Sequence, residues 1–467
     1  MRSRLAVAGA LALAAISAQA SPLDDHVQSL LRDNHVPGIV YGVFRDGKVV
    51  KNGAFGYSDL ERKVKASTTN VFEIGSVSKQ FTATVILMLM EEGKLSLDDT
   101  IDKYVDGIPE SWRVVTLRHL LNHTSGIPDI EEIFGYDSYR NIYTTEQIIK
   151  VADSQPREFQ PGAKWHYSNT GYYLLGLAIE KVTGKTYIEA ISERILKPLG
   201  MAHSGESDPW RVVPDRALGY QFLNGKLLNR DVMQPSACKG AGTLVSTIED
   251  MAKWDAAVTH NRLIKKSSQE MMWTPTKLTS SGVVNYGFGW FTGDWRGEPT
   301  VDHSGGTAGY SCEYRRFPNL GLSVMTFSNL YATNVGGVGI LAVDSMKPGL
   351  SYWTMKPKAD DKPSLKKTVL EAMKDVADGV KDSVYFTPKM YAEYNQSSRN
   401  NWKQRLDGLV SFTLLQRGRF QATRQTNLGD DIIGNDVYKL VTKGGTYFIV
   451  IGWAPDGKIA LQSRVDY

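Results

Sequence analysis

Ser76 and Lys79 stand three residues apart at the start of a strongly helical segment. Residues i and i+3 lie on one face of a helix, so the Lys79 amine can lie beside the Ser76 hydroxyl. A serine hydroxyl becomes an effective nucleophile when a neighbouring base takes its proton, and a lysine of lowered pKa can be that base. The spacing indicates acyl-enzyme chemistry. A helix cap followed by a solvated lysine is the alternative interpretation of so short a motif.

Tyr167 and Asn169 form a second group with chemical potential, in a turn before a helix predicted over 170–184. A phenol at such a turn can carry protons, and an amide can bind both a substrate and a lysine. The alternative interpretation is a core tyrosine followed by an asparagine that caps the helix.

The segment His303-Ser304-Gly305-Gly306 lies where a strand is predicted. Consecutive glycines at a strand end allow the backbone of a ligand to approach closely. His303 can then serve as a donor or a cation. A turn glycine pair beside a hydrogen-bonded histidine is the alternative.

The elements that must position these residues can be predicted from hydrophobic patterning. Apolar runs on either side of Asp46-Gly47 indicate a β-hairpin, and the helix that starts near Ser76 is apolar on nearly all sides, which predicts a buried central helix. Ser246 and Glu249 have the spacing of a capping box. Further helices are predicted over 116–123, 145–153, 170–184, 187–196 and 247–258, and strands over 286–292, 299–304, 309–316 and 321–328. This order predicts an α+β fold with one antiparallel sheet covered by helices.

Composition changes along the chain predict four segments. Residues 1–20 have a basic start, an apolar run and an Ala-Gln-Ala cleavage pattern, which indicates a signal peptide, with a membrane anchor less favoured because the run is short. Residues 21–345 form the main domain, and the proline-containing 346–363 is a linker. Residues 364–467 are predicted to form a small α+β accessory domain. Its helices are predicted over 364–381 and 387–405, and its strands over 411–415, 436–442, 446–452 and 459–463.

Charge and residue usage exclude several functions. The formal net charge is +4, and Arg2 and Arg4 of the leader account for two of those charges, so nothing favours nucleic-acid binding. No segment after the leader is apolar for long enough to span a membrane. The eight histidines show no metal-ligand spacing, and no metal or cofactor is predicted. Cys238 and Cys312 can form one disulfide in an exported protein or stay two buried thiols.

The three motifs, in this order, resemble those of the serine β-lactamase and penicillin-binding protein superfamily. The resemblance covers roughly residues 25–345 and is strongest to the branch of class C β-lactamases, D-Ala-D-Ala carboxypeptidases and D-aminopeptidases. Additional segments carry it: Leu120–Gly126, Pro198–Met201, Ser246-Thr247 with Asp250-Met251, and Tyr286–Trp290.

The resemblance implies an antiparallel sheet flanked by helices, an all-helical subdomain and a cofactor-free site. By it, Ser76 is the acylated nucleophile, Lys79 is its base and Tyr167 shuttles protons. Asn169 orients the substrate and the lysine, and the backbone N–H groups of Ser76 and Gly306 form the oxyanion hole. His303, Ser304 and Gly305 occupy the three positions of the last motif, at the substrate-binding edge.

His303 departs from most β-lactamases, which have lysine there. A histidine is largely neutral near pH 7, so the sequence favours peptides, amides or esters with D-configured residues over β-lactams. Candidate substrates are small molecules or peptides, peptidoglycan-derived peptides among them. The alternatives are a class C β-lactamase and a non-catalytic peptidoglycan-binding sensor. The leader predicts a periplasmic or secreted protein, and the oligomeric state is left open. If His303 is a cation that holds a carboxylate, kcat/KM for acidic substrates should fall as pH rises through its pKa.

Overall fold

The computed structural model describes residues 21–135, 139–230, 233–426 and 428–465. The predicted signal peptide, residues 1–20, lies outside the described residues. Within the described part of the chain, no helix is both long enough and apolar enough to cross a bilayer.

Fourteen α-helices are found in the described chain. They are α1 (Pro22–Asp33), α2 (Ser78–Glu91), α3 (Leu117–Leu121), α4 (Ile130–Phe134), α5 (Thr145–Ala152), α6 (Asn169–Thr183), α7 (Tyr187–Ile191), α8 (Lys197–Leu199), α9 (Ile248–Thr259), α10 (Lys266–Met272), α11 (Gly336–Asp344), α12 (Pro363–Asp378), α13 (Pro388–Ala392) and α14 (Gln396–Asp407). A π-helical turn, Ser192–Leu196, joins α7 to α8.

The described strands number eighteen. They are β1 (Gly38–Arg45), β2 (Lys48–Asp59), β3 (Val64–Lys65), β4 (Phe72–Glu73), β5 (Gly205–Glu206), β6 (Tyr220–Leu223), β7 (Lys226–Asn229), β8 (Leu244–Ser246), β9 (Thr276–Lys277), β10 (Val283–Val284), β11 (Phe291–Trp295), β12 (Glu298–Thr307), β13 (Tyr310–Phe317), β14 (Leu322–Ser328), β15 (Leu409–Gln425), β16 (Asp431–Thr442), β17 (Gly445–Trp453) and β18 (Ile459–Val465).

A seven-stranded antiparallel sheet in the order β11-β12-β13-β14-β1-β2-β3 organises the first part of the chain. β1 lies between β2 and β14, so the N-terminal hairpin and the returning strands share one sheet. Successive side chains of a strand point to opposite faces of the sheet. On β1, Val40 and Phe44 pack in the hydrophobic core on one face, and Ile39 and Val43 pack in a second core on the other face. Both faces are covered, by α9 on one side and by α1 and α11 on the other, as the continuous burial of β1 requires. The predicted α+β fold with a helix-covered antiparallel sheet is confirmed.

Helices α3 to α8 lie between β4 and β8 in the chain and form the predicted helical part. α2 packs against α6 and α7, and its residues from Ser78 to Leu89 are buried except Met88. A helix that is apolar on all sides is stable only inside a core. The helix that starts beside Ser76 is therefore the central, fully covered helix that the sequence predicts.

The C-terminal part has a core of its own, formed by α12, α14 and the four-stranded antiparallel sheet β15-β16-β17-β18. Its small α+β fold agrees with the sequence. The single helix predicted over 387–405 is wrong, because Asn395 starts a new helix there by accepting a hydrogen bond from the Ser398 N–H. Residues 345–362, which include most of the predicted linker, contain no helix or strand. The division at 346–363 into separate domains stays a prediction.

Several local predictions were wrong. The cap of α9 is Thr247, which accepts from the Asp250 N–H, whereas Ser246 ends β8. The strand predicted over 286–292 begins only at Phe291. Helices α1, α4, α10 and α11 were missed, and α11 was missed because its three glycines disfavour helix in isolation.

Candidate active site

Ser76 lies in a single 3-10 turn, Gly75–Val77, that leads directly into α2. Gly75 has φ of +46°, and a Cβ there would lie 2.8 Å from both the backbone N and O of Gly306. Only glycine permits this backbone conformation and this approach without strain. The turn therefore holds Ser76 against the end of β12.

Lys79 is fully buried, and its Nζ has three polar contacts. It donates to Ser76 Oγ at 3.0 Å, to Asn169 Oδ1 at 2.8 Å and to the Ala241 carbonyl at 2.8 Å. All three donor positions of an ammonium are used, which fixes the amine beside the hydroxyl.

Burial lowers the pKa of Lys79 to about 7, although the nearby carboxylates of Asp129 and Glu131 act in the opposite direction. A lysine in water is almost entirely protonated at neutral pH. At this lowered pKa a large fraction is neutral, and a neutral amine can take the Ser76 proton.

Tyr167 lines the same pocket as Ser76. Its ring centroid is 4.7 Å from Lys79 Nζ. Burial raises the pKa of Tyr167 above its usual value, so the phenol keeps its proton throughout the neutral range. In this form it can donate to an atom near Ser76 Oγ.

Asn169 begins α6, where Asp129 accepts hydrogen bonds from its backbone N–H and from the Thr170 N–H at 3.0 Å. The Asn169 amide nitrogen donates to Glu131 Oε2 at 2.9 Å, while its oxygen accepts from Lys79. Its side chain is thereby oriented, with the oxygen toward the amine. Tyr139 also donates to Glu131 Oε2, at 2.8 Å.

His303 is 2% exposed and does not line the pocket, although its ring centroid lies 6.1 Å from that of the pocket residue Tyr167. Its Nε2 lies 3.1 Å from the Tyr286 hydroxyl, and its Nδ1 lies 2.6 Å from the Ser304 carbonyl. Burial lowers the pKa of His303 to about 3, and the nearby Lys79 charge contributes. The histidine is therefore neutral at physiological pH, which argues against the hypothesis of a cation that holds a carboxylate.

Gly305 and Ser304 differ in what they contact. A Cβ on Gly305 would lie 2.1 Å from the Ile74 carbonyl, so this glycine permits β12 to pack against the Ser76 turn. The Ser304 side chain is exposed on β12. Gly306 lines the pocket together with Ser76, and the adjacency needed for two backbone donors is present.

A pocket of about 230 Å³ opens over these groups. Residues from six separate segments line it: Ser76, Glu131, Tyr139, Tyr167, Asn169, Met233, Cys238, Ala241, Gly242, Gly306, Thr307 and Tyr331. Of the residues predicted from the sequence, the structure brings Ser76, Lys79, Tyr167, Asn169 and Gly306 together. Their catalytic roles stay predictions.

Sequence reasoning missed Glu131, Tyr139, Cys238 and Tyr331 as pocket residues. Glu131 lies in the first turn of the short helix α4, which the sequence did not predict. Cys238 and Cys312 are both free buried thiols. The structure therefore has two separate buried thiols and no disulfide between Cys238 and Cys312.

His166, directly before Tyr167, bridges two carboxylates. Its Nε2 lies 3.0 Å from Glu132 Oε1, and its Nδ1 contacts Glu158 Oε2. Partial burial lowers the pKa of His166, but the hydrogen bonds and charges of Glu158 and Glu132 outweigh it and leave the pKa raised. The three residues lie close enough to hold an ion. Both imidazole nitrogens already have a carboxylate partner, which fits a hydrogen-bonded imidazolium.

Comparison with known proteins gives the family. Residues 23–340 match the model of the Beta-lactamase family. The chain therefore belongs to the Beta-lactamase family, a family of serine hydrolases. It is 33% identical over 304 residues to penicillin-binding protein 4* of Bacillus subtilis (strain 168), covering 61% of this chain and 66% of that protein. The chain spans less than two thirds of the length of this and other curated relatives that it matches.

Solved structures agree with the fold. The chain is 28% identical to a D-stereospecific amidohydrolase from Streptomyces sp., with a TM-score of 0.59 over 69% of this chain and 97% of that one. An octameric penicillin-binding protein homologue from Pyrococcus abyssi, 24% identical, matches with a TM-score of 0.64 over 95% of both chains. This second likeness concerns the fold alone, and it extends over the C-terminal sheet.

Proposed function

We propose that this protein is an exported serine hydrolase that works through an acyl-Ser76 intermediate on amides and peptides whose N-terminal residue is a D-amino acid. The observation that carries the proposal is the contact of Lys79 Nζ with Ser76 Oγ at 3.0 Å, combined with a lysine pKa of about 7. A base matched to neutral pH beside a hydroxyl is what nucleophilic catalysis by serine requires.

In the proposed reaction, neutral Lys79 takes the Ser76 proton as Oγ attacks the substrate carbonyl. The backbone N–H groups of Ser76 and Gly306 stabilise the oxyanion. Tyr167 gives its proton to the leaving nitrogen as the carbonyl C–N bond breaks and regains one from Lys79, which is then neutral again. Water attacks the acyl ester and gives a proton to Lys79, which returns it to Ser76 Oγ as the bond between Oγ and the carbonyl carbon breaks and the acid is released.

Glu131 supports a substrate with a free α-ammonium group. It lines the pocket and lies one hydrogen bond from Asn169, which itself contacts Lys79. An acidic side chain beside the acylation site favours a cationic group on the acyl part of a substrate. The 28% identical amidohydrolase from Streptomyces is D-stereospecific, which supports the D-configuration and the amide bond.

Esters are the second candidate, because an ester has a better leaving group and needs the same Ser76 and Lys79 chemistry. β-Lactam hydrolysis is less favoured. Its substrates carry a carboxylate, and His303, which is neutral and buried, cannot supply the cation that a lysine would at that position.

One substrate panel tests the proposal. D-alaninamide, L-alaninamide, N-acetyl-D-alaninamide, a short ester and a chromogenic cephalosporin are compared at the same enzyme concentration. The expected order has D-alaninamide first, with the L-enantiomer and the N-acetyl compound far slower. Faster turnover of the cephalosporin, or equal rates with and without the N-acetyl group, would contradict it.

A further inference from the structure

A second cleft adjoins the pocket over Ser76. It measures about 940 Å³, whereas the pocket measures about 230 Å³. Tyr331 lines both cavities, and its ring lies 3.9 Å from the place where a Cβ on Gly306 would be. The larger cleft therefore begins at the edge of the acylation site.

Three parts of the chain form most of the walls of the cleft, and Phe222 and Trp353 complete them. The first is α1 with Asp25, Ser29 and Asp33, the second is the segment 330–334 after β14, and the third is the stretch from Gly444 to Phe448, which includes the start of β17. The core of the family fold and the C-terminal sheet thus build it jointly. Clefts between such units are preferred places for ligands.

The cleft is acidic and aromatic. The carboxylates of Asp25 and Asp33 line it, and no lysine or arginine is found among the described residues on its walls. Arg32 pairs with Asp33, so Asp25 is the main source of negative charge. Phe222, Trp353 and other aromatic rings provide faces that attract cations. Both features complement a positively charged chain.

We propose that this cleft binds the leaving-group part of a peptide substrate and prefers a chain that carries an ammonium side chain. The inference rests on the proposed function. With the α-ammonium group of the D-residue near Glu131, the acyl part ends in the small pocket. Any further chain must then extend from the leaving nitrogen, and the adjoining cleft is large enough to take it.

A substrate series with a common acyl group isolates the leaving-group side. D-alaninamide, D-Ala-Gly-Lys and D-Ala-Gly-Glu all give the same D-alanyl-Ser76 ester, so their deacylation rates must be equal. The cleft then acts only on acylation, which kcat/KM reports. With the Asp25 carboxylate attracting the ammonium group of one peptide and repelling the carboxylate of the other, the lysine peptide should exceed the glutamate peptide in kcat/KM by about fivefold. The difference should shrink as salt is raised.

Matched variants identify the residues responsible. Asp25→Asn should reduce the lysine-to-glutamate ratio by about twofold to fivefold. Asp102→Asn removes the same charge at an exposed position outside the cleft and should leave the ratio as in the wild type. Because Asp25 lies in the first turn of α1, a second variant on the opposite wall, Thr446→Arg, is needed. It should reverse the preference in favour of the glutamate peptide.

The outcomes separate the two proposals. Equal kcat/KM for the two peptides in an enzyme that turns over D-alaninamide would overturn the cleft proposal and leave the acyl-serine function standing. A ratio that Asp25→Asn and Thr446→Arg do not change would also overturn it. If D-alaninamide is not hydrolysed and Ser76 is never acylated, the proposed function is wrong and the cleft proposal falls with it.

Discussion

The Tyr286 hydroxyl lies 3.1 Å from Nε2 of His303. The same hydroxyl lies 3.1 Å from Nε2 of His123, whose Nδ1 accepts a hydrogen bond from the Ser168 N–H. Burial lowers the pKa of both histidines, so both are neutral. His123 must then carry its proton on Nε2 and donate to Tyr286, which in turn donates to His303.

This chain of three buried side chains connects the two halves of the site. At one end, His123 holds the turn before Asn169 and packs against the Tyr167 ring, with ring centroids 4.4 Å apart. At the other end, His303 Nδ1 donates to the Ser304 carbonyl on β12, two residues before Gly306. His303 is therefore a positioning residue, and its neutral form is the one that completes the chain.

Removing the central hydroxyl should destabilise the protein. Tyr286→Phe keeps the ring but leaves a donor on His123 and an acceptor on His303 without partners. The free energy of unfolding should fall by about 1–3 kcal/mol, the cost of leaving buried polar groups unsatisfied. Chemical denaturation measures it. Tyr57→Phe, at a partly exposed tyrosine on β2, is the control and should change stability by no more than about 0.5 kcal/mol. Equal losses of unfolding free energy in the two variants would show that the hydrogen bonds between His123, Tyr286 and His303 do not stabilise the protein.

The pH dependence of kcat/KM distinguishes Lys79 from His303. Lys79 must be neutral to act, so the rate on a neutral ester should be low below pH 7 and rise through the lysine pKa of about 7. His303, with a pKa near 3, adds no limb in this range. A cationic role for His303 predicts the opposite sign, a fall with rising pH for acidic substrates.

Two variants assign the rising limb. Lys79→Arg keeps a permanent charge and should lose activity by about 10²–10⁴-fold, as expected when a general base is removed. His166→Gln removes the neighbouring histidine with a raised pKa and should retain the limb. If the rise of kcat/KM with pH disappeared in His166→Gln, the titrating group would be His166 and not Lys79.

Glu131→Gln tests recognition of the substrate ammonium group. Glutamine has nearly the same shape and still offers an oxygen to the Asn169 amide and the Tyr139 hydroxyl, but it has no charge. The value of kcat/KM for D-alaninamide should fall about tenfold to a hundredfold, the range for a hydrogen bond to a charged group. The rate on a neutral ester serves as the internal control. An equal fall in kcat/KM for D-alaninamide and for the ester would mean that Glu131 only positions Asn169 and does not bind the substrate ammonium group.

The sequence predicted the architecture well where patterns are local and strong. The apolar run after Ser76 identified the central helix α2, and the Asp46-Gly47 turn identified the β1–β2 hairpin. The order of the motifs identified the family. It did not predict the break at Asn395, which a local cap hydrogen bond decides, or the glycine-rich helix α11, which depends on tertiary packing.

The site could be predicted only where a residue belongs to a motif. Ser76, Lys79, Tyr167 and Asn169 were found in this way. Glu131 was missed because its position depends on how the loop before α4 folds over Asn169. The state of His303 also could not be predicted, since a histidine pKa of about 3 follows from burial that only the folded chain reveals.

Covalent labelling of Ser76 tests the central claim most directly. The folded protein is incubated at pH 8 with a fluorophosphonate, from which the serine oxygen displaces fluoride, and its intact mass and peptides are measured. We predict one adduct, located on Ser76, that is absent in Ser76→Ala and forms at least about a hundredfold more slowly in Lys79→Ala. No adduct on the folded wild-type protein, or an adduct that forms equally fast without Lys79, would contradict the account.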